Sequence, residues 1–184
     1  MRVFIALEMP SAIKEAAAAI QRELMNSEAT VGWVRREGMH LTLKFLGEVS
    51  SARLPEIEKA LSRAAEGTGS MKIAVRGLGV FPSPKNPRVI WLGILPEDDR
   101  LARLQERIDH ALAPLGFQPE HREFRPHLTL GRIKSSRGLN DLMKTVTAQD
   151  RFLAGDCMLE ELHLIQSELR QEGAVYTKLW SVAL

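Results

Sequence analysis

The word His-Leu-Thr-Leu occurs twice, at His40–Leu43 and at His127–Leu130, in a chain that holds only five histidines. Five histidines and seven threonines among 184 residues give about 0.2 His-x-Thr pairs by chance, before the matching leucines are required. On a β-strand, successive side chains point to opposite faces. His40 and Thr42 then share one face, with Leu41, Leu43 and Phe45 on the other. His127 and Thr129 are opposed to Leu128 and Leu130 in the same way. Each strand thus offers an apolar face to a core and an imidazole beside a hydroxyl on its other side.

A single His-x-Thr word reads as a solvated cross-strand pair. Two such words brought together can do more. One imidazole takes a proton from an oxygen attacking phosphorus, and the other gives a proton to the oxygen leaving on the opposite side. An unperturbed imidazole pKa near ~6.5 lets both forms be populated around neutrality. The threonine hydroxyls are donors for the non-bridging oxygens that gain charge in the transition state. Because the words are identical, they do not say which histidine plays which part.

Cations flank both words: Arg35, Arg36 and Lys44 around the first, Arg125, Arg132, Lys134 and Arg137 around the second. Any one of them reads first as solvated surface charge. Arg125 and Arg132 are the preferred phosphate ligands because each lies within five residues of His127. Strict alternation puts Arg132 on the Leu128 and Leu130 face, so its contact requires a bend near Gly131. Trp33 is equally a base-stacking platform and a core residue. Phe81 reads as part of a hairpin connection, with a place at the cleft mouth as the second option. His110 and His121 read as structural or surface residues. His163 alternates like the motif strands but lacks the threonine.

Other chemistries fit less well. Gly77-x-Gly79 is followed by Pro82 and Pro84 where a dinucleotide site needs a helix. A metal centre needs three or more converging ligands, and only scattered acids such as Glu37 and Glu123 accompany the histidines. Cys157, the one cysteine, excludes an internal disulfide or a cysteine zinc cluster. No serine or cysteine has the surroundings of a nucleophile. Neither metal nor cofactor is expected.

Composition agrees with a soluble globular protein, at 45% hydrophobic and 26% charged residues with a net charge of +2. Mild basicity permits a nucleic-acid partner without arguing for one. The apolar run at Val3–Leu7 is too short for a signal peptide, and nothing approaches the ~20 apolar residues of a membrane span. A reducing, cytoplasmic location is expected.

The patterning that must position the words repeats. A first strand over 1–8 leads to a helix opened by Pro10-Ser11, with Ile13, Ala16, Ala17, Ile20 and Leu24 on one face. The first His-Leu-Thr-Leu comes next, then a helix capped at Ser50-Ser51, with Leu54, Ile57, Leu61 and Ala64 inward and Gly67 past its end. Met71–Val75 reads as a strand, residues 77–87 as a Gly/Pro-rich loop, and Val89–Leu95 as the next strand. A helix with Asp98 and Asp99 in its first turn succeeds it, turns Leu101, Leu104, Ile108 and Leu112 inward and ends before Gly116. After the second word come a short helix near Leu139–Val146 and strands at about Met158–Ile165 and Ala174–Ala183. The 87-residue spacing of the two words is too long for a solenoid. The expectation is an α+β fold: one bilobal domain over 1–184, a duplicated pseudo-twofold unit. Antiparallel sheets would face a central cleft, with helices outside, in a monomer.

These residues resemble the two-histidine (2H) phosphoesterases, and more closely the RNA 2′,3′-cyclic phosphodiesterases, also called 2′-5′ RNA ligases. The likeness includes Phe4-Ile5-Ala6-Leu7, Trp33-Val34 and His40–Glu48. It continues through Val80-Phe81-Pro82, Pro87–Trp91 and Phe124–Arg132, and so covers nearly the whole chain. The resemblance implies metal-free opening of a terminal RNA 2′,3′-cyclic phosphate to a 2′-phosphate, with weak reversible 2′-5′ joining. It implies His40 as proton donor and His127 as proton acceptor. RNA ends are the implied partner, tRNA fragments being one source. Two other readings stand beside it. One is a phosphodiesterase for 2′-5′-linked oligonucleotides or small cyclic phosphates, and the other is an RNA-end-binding module without catalysis.

Overall fold

The computed structural model describes residues 1–171 and 173–184. In the first half, β1 (Arg2–Glu8), α1 (Ser11–Met25), a short β2 (Val31–Trp33), β3 (His40–Glu48), α2 (Leu54–Ala65) and β4 (Met71–Phe81) succeed one another. The second half runs β5 (Val89–Pro96), α3 (Arg100–Leu112), β6 (His127–Ile133), α4 (Leu139–Ala148), β7 (Leu153–Leu159), β8 (Glu161–Arg170) and β9 (Gly173–Ala183). The strands form two antiparallel sheets, ordered β3-β1-β8-β9 and β2-β6-β5-β4-β7.

The helices carry the expected inward faces: Ile13, Ala17, Ile20 and Leu24 on α1, and Leu101, Leu104, Ile108 and Leu112 on α3, are all buried. Helices α2 and α3 pack together against the first sheet, and α1 and α4 pack together against the second. The apolar faces of both sheets and all four helices join one continuous core cluster. Among the described residues no helix is long and apolar enough to cross a membrane.

The duplication is intertwined. Strand β4, from the first half, pairs with β5 in the second sheet, while β8, from the end of the chain, pairs with β1 in the first. The helices cross as well, since α1 backs the second sheet and α3 the first. A pseudo-twofold therefore relates β3, β1, β8 and β9 to β6, β5, β4 and β7, and neither half owns a complete sheet.

Several local expectations are corrected. Residues 77–81 continue β4 as strand. The ladder to β5 is interrupted between Val75 and Leu78, where Gly77 takes φ of 82°, a conformation open to glycine at no steric cost. The strand expected at Met158–Ile165 is two strands parted at Glu160; Gly155 and Asp156, poor strand formers, hide β7. Ser50 precedes and Ser51 opens a 3-10 turn, Ser51–Arg53, and neither caps α2 through its side chain. Asp98 and Asp99 lie before α3, where an Asp98 carboxylate oxygen accepts the Arg100 N–H at 3.0 Å.

Lys44 is not a phosphate contact. It is buried and ion-paired with Asp109 of α3, and its Nζ also donates to the Gln118 carbonyl at 2.7 Å. Asp109 further accepts the Gln105 amide at 2.9 Å and the Glu120 N–H at 3.2 Å. A buried pair is costly to break one-sidedly because the surviving charge stays desolvated. Asp109→Ala is expected to destabilise the protein by about 3–5 kcal/mol in denaturant unfolding, with Lys44→Met/Asp109→Leu recovering most of the loss. Equal stability of the single and double variants would show that the pair is uncoupled.

Candidate active site

Strands β3 and β6 meet across the sheets, with Cα atoms within 8 Å, and the two His-Leu-Thr-Leu words meet with them. A cleft of about 440 Å³ is lined by His40 and Thr42 from β3, Thr129 and Arg132 from β6, and Phe4 and Tyr176 from the first sheet, whereas His127, at the start of β6, is outside that lining. His40 and Thr42, Leu41 and Leu43 take the faces that alternation predicts; so do His127, Thr129, Leu128 and Leu130.

Beyond each threonine the alternation breaks. In β1–β3 the partners run Ala6↔Thr42 and then Ile5↔Lys44, passing over Leu43. In β5–β6 they run Trp91↔Thr129 and then Ile90↔Gly131, passing over Leu130. The last leucine of each word is thus an extra residue, a β-bulge that re-aims the residues after it. Leu43 and Lys44 are both buried, as are Leu130 and Gly131. The next residue then emerges on the histidine face. That residue is Arg132 on β6, which satisfies the bend required near Gly131. On β3 it is Phe45, expected on the core face but 71% exposed at the cleft beside Phe4.

Aromatic rings fix the imidazoles. His40 stacks on Phe4 (centroids 4.9 Å apart) and meets Tyr176 edge-on at 5.1 Å. His127 meets Phe81 edge-on at 5.0 Å, and Phe81 leans on Trp91 at 5.0 Å. Trp91 in turn lies over Gly79, where a Cβ would come within 2.4 Å of the indole. His127 Nδ1–H donates to the Arg125 carbonyl at 2.6 Å, which selects the tautomer whose Nε2 carries a lone pair.

Burial holds both imidazoles neutral. It lowers His40 to about 4, with Lys14 adding to the effect against the opposing pull of Glu8. It also lowers His127, and the Arg125 carbonyl only partly counters it while Arg132 pushes further down. Glu8, the cross-strand partner of His40, carries no signal in the sequence. Burial works against its charge, but hydrogen bonds from Lys178 and Lys14 prevail and hold it at about 2. No spacing rule finds it, because its partners come from α1 and β9.

The remaining candidates take varied places. Arg125 turns its guanidinium to Glu123 at 3.2 Å, outside the cleft lining, and serves His127 through its carbonyl. Trp33 packs over Gly131 on the core side, not in the cleft. His110 and His121 are exposed. His163 is 2% exposed and shares a hydrogen bond with Ser181 at 2.7 Å. Among the described residues no group of three or more His, Cys, Asp or Glu is placed to hold a metal ion.

A histidine lowered on folding binds fewer protons than its unfolded counterpart between the two pKa values. Stability therefore rises with pH across that window and is lost on acidification. For His40 the window runs from 6.5 down to about 4. Unfolding free energies measured from pH 7 to 4 are expected to fall, and His40→Asn should make that fall shallower. An unchanged slope would show that His40 is not held neutral.

The LigT-like phosphoesterase family model matches the chain twice, over residues 7–91 and 92–176, which reproduces the duplication seen in the fold. An RNA 2′,3′-cyclic phosphodiesterase of Methanothermobacter thermautotrophicus is 34% identical over 179 residues, covering 97% of this chain and 96% of that protein. The protein of the same name from Thermotoga maritima is 34% identical over 180 residues, covering 98% and 94%. Among solved structures, TT0787 of Thermus thermophilus superposes with a TM-score of 0.83 at 27% identity, covering 100% of this chain and 98% of that one. Escherichia coli LigT complexed with 3′-AMP gives 0.81 at 26%, covering 100% and 97%. The chain belongs to the LigT-like phosphoesterase family of two-histidine phosphoesterases.

Proposed function

We propose that this protein is a metal-independent RNA 2′,3′-cyclic phosphodiesterase that opens the terminal cyclic phosphate to a 2′-phosphate. The observation that supports the reading is the cleft lined by His40 and Thr42 of the first word and by Thr129 of the second, with Arg132 re-aimed into it and His127 on the Thr129 side of the same strand. The names of the relatives at 34% identity support the substrate class, and a similar structure holding 3′-AMP supports a nucleotide in the cleft. In the cell the protein works as a cytoplasmic monomer on RNA fragments, tRNA fragments among them.

The chemistry rests on the two imidazoles. His127, neutral with Nε2 free, takes a proton from water as the water oxygen bonds to phosphorus. The P–O3′ bond breaks on the opposite side, and His40 gives its proton to the departing O3′. The product carries a 2′-phosphate and a free 3′-hydroxyl, and the proton gained by His127 replaces the one lost by His40. Thr42, Thr129 and Arg132 donate to the non-bridging oxygens. Run backwards, the same steps permit weak 2′-5′ joining. Arg125 contributes through its carbonyl, which holds the His127 ring.

An RNA ending in 2′,3′-cyclic phosphate, incubated with the protein and EDTA, is expected to give a 2′-phosphate by phosphorus NMR. A 3′-phosphate would overturn the regiochemistry, activity lost to EDTA and restored by zinc would overturn the metal-free mechanism, and no turnover would leave a binding module. His40→Ala should be crippled on the RNA end yet recover on a nitrophenyl phosphodiester, whose leaving group needs no proton. His127→Ala should stay poor on both; rescue of His127→Ala alone would exchange the roles. Thr42→Val or Thr129→Val should each lower kcat by roughly 10²–10³, and full activity in both would make the hydroxyls structural.

The lowered His40 gives a further expectation. Only its protonated form is the acid, so in the free protein the alkaline limb of kcat/KM is set by a pKa held down by burial. A bound phosphate anion favours the imidazolium and moves that limb up. The alkaline limb of kcat should therefore lie at higher pH than that of kcat/KM on a cyclic mononucleotide. Coincident limbs would argue against His40 as the acid.

A further inference from the structure

The net charge of +2 conceals a segregation. Residues 29–36, 81–96 and 124–140 contain eight Lys or Arg and no Asp or Glu. Arg35 and Arg36 come from the first stretch, Lys85 and Arg88 from the second, and Arg125, Arg132, Lys134 and Arg137 from the third. The rest of the chain sets the other 17 basic residues against all 23 acidic ones, a net charge of −6.

The fold brings the three stretches together, because they carry β2, β5 and β6 of the second sheet. Val31 pairs with Ile133 and Val89 with Arg132. The Lys134 N–H donates to the Thr30 carbonyl at 2.8 Å, and the Ile133 N–H to the Arg88 carbonyl at 2.9 Å. Lys85, Arg88, Lys134 and Arg137 thus gather where β6 ends and β2 and β5 begin. All four are exposed and make no ion pair among the described residues. By contrast Arg36 is held by Glu15 and Arg125 by Glu123. Of the bordering acids, Glu123 and Asp141 are engaged by Arg125 and Lys144. Glu28, also a neighbour, pairs with none of the four.

The cluster is continuous with the cleft. Gly32 is the cross-strand partner of Arg132, and a Cβ on Gly32 would point at Lys134, 2.8 Å from its Cε. Arg132 and Lys134 therefore share the face that carries His127 and Thr129. From His127 to Lys134 the strand advances about 20 Å at ~3.3 Å per residue. None of the exposed large apolar side chains belongs to residues 29–36, 81–94 or 124–140. Bare cations without interleaved apolar groups suit phosphates, read without regard to sequence.

We propose that this end of the second sheet is the path of a single-stranded RNA chain behind its terminal phosphate, with Lys85, Arg88, Lys134 and Arg137 neutralising successive upstream phosphates. The inference rests on the reading of the cleft as an RNA-end site. It makes the preferred substrate an oligonucleotide end and not a mononucleotide.

The test compares wild type with K85A/R88A/K134A/R137A and with the control K59A/R63A/K72A/R76A, which removes the same charge from exposed cations elsewhere. Binding of a ten-nucleotide RNA ending in 2′-phosphate is followed by anisotropy against KCl, and turnover is measured on adenosine 2′,3′-cyclic phosphate. At about 0.7 per neutralised phosphate on a single strand, four contacts give log K a slope near −3 against log salt. The track variant should remove that part of the slope, leaving only the contribution of Arg132, and weaken binding at least tenfold at low salt, with mononucleotide kcat/KM within twofold of wild type. The control should bind like wild type. An unchanged slope in the track variant, or equal weakening in the control, overturns the proposal. So does wild-type binding of the decamer without a salt slope while the mononucleotide is hydrolysed, and in that case the catalytic reading survives. Steep, track-dependent binding with no turnover of adenosine 2′,3′-cyclic phosphate, or of the same decamer ending in 2′,3′-cyclic phosphate, keeps the path and overturns the catalytic reading.

Discussion

Just past each threonine, β3 and β6 carry one residue more than the strand beside them. Everything distinctive about the cleft depends on that extra leucine. A regular strand would send Phe45 and Arg132 into the core, where a guanidinium cannot be desolvated unpaired. The bulge instead sends Leu43 and Lys44, or Leu130 and Gly131, to the core in succession. The two sites answer that demand differently. On β6, glycine fills the second core place, and Trp33 and Val31 close over it. On β3 the place falls to Lys44, which enters the core only because Asp109, itself held by the Gln105 amide, and the Gln118 carbonyl receive it. One backbone device thus yields an arginine on one wall of the cleft and a phenylalanine on the other.

The bulges operate within sheets that no half of the chain can build. Strand β1 has its outer neighbour β3 from its own half, but its inner neighbour β8 from the far end of the chain. Strand β5 borrows β4 in the mirror sense. Besides Phe4 on β1, which stacks on His40, each histidine has an aromatic support from a strand of the other half: Tyr176 from β9 for His40, and Phe81 from β4 for His127. Positioning of each imidazole is therefore a property of the completed fold, which suits chemistry that must hold two groups on opposite sides of one atom.

Much of this is legible in the residues. The facing of His40, Thr42, His127 and Thr129 obeys period-two alternation, and the helices obey their apolar stripes. The features that cannot be read have definite causes. A bulge leaves no mark when the extra residue is a leucine and its neighbour a glycine, since both are acceptable in a core. Phe45 leaves its expected face although apolarity and strict alternation agree in placing it there. Strand β7 is hidden by Gly155 and Asp156, which strand propensity disfavours but which fit at an edge. Arg125 sits at the right distance from His127 for a ligand, yet the backbone, which no side-chain argument reaches, makes its contact.

The pseudo-symmetry of the words also stops short of the electrostatics. His127 faces Gly93 across the ladder, whereas the equivalent partner of His40 is Glu8, locked between Lys14 and Lys178. His127 has its tautomer fixed by a carbonyl, while no hydrogen bond among the described residues fixes the His40 ring. The proposed base must present one lone pair in one direction, and the Arg125 carbonyl fixes the His127 ring in a tautomer that does so. An acid must gain a proton before it can give one. Burial holds the His40 pKa low, while Lys14 disfavours its imidazolium and Glu8 favours it. Under the proposed mechanism, a phosphate anion bound beside the ring would favour its charged form. Identical four-residue words thereby acquire unlike surroundings, because their neighbours come from different strands.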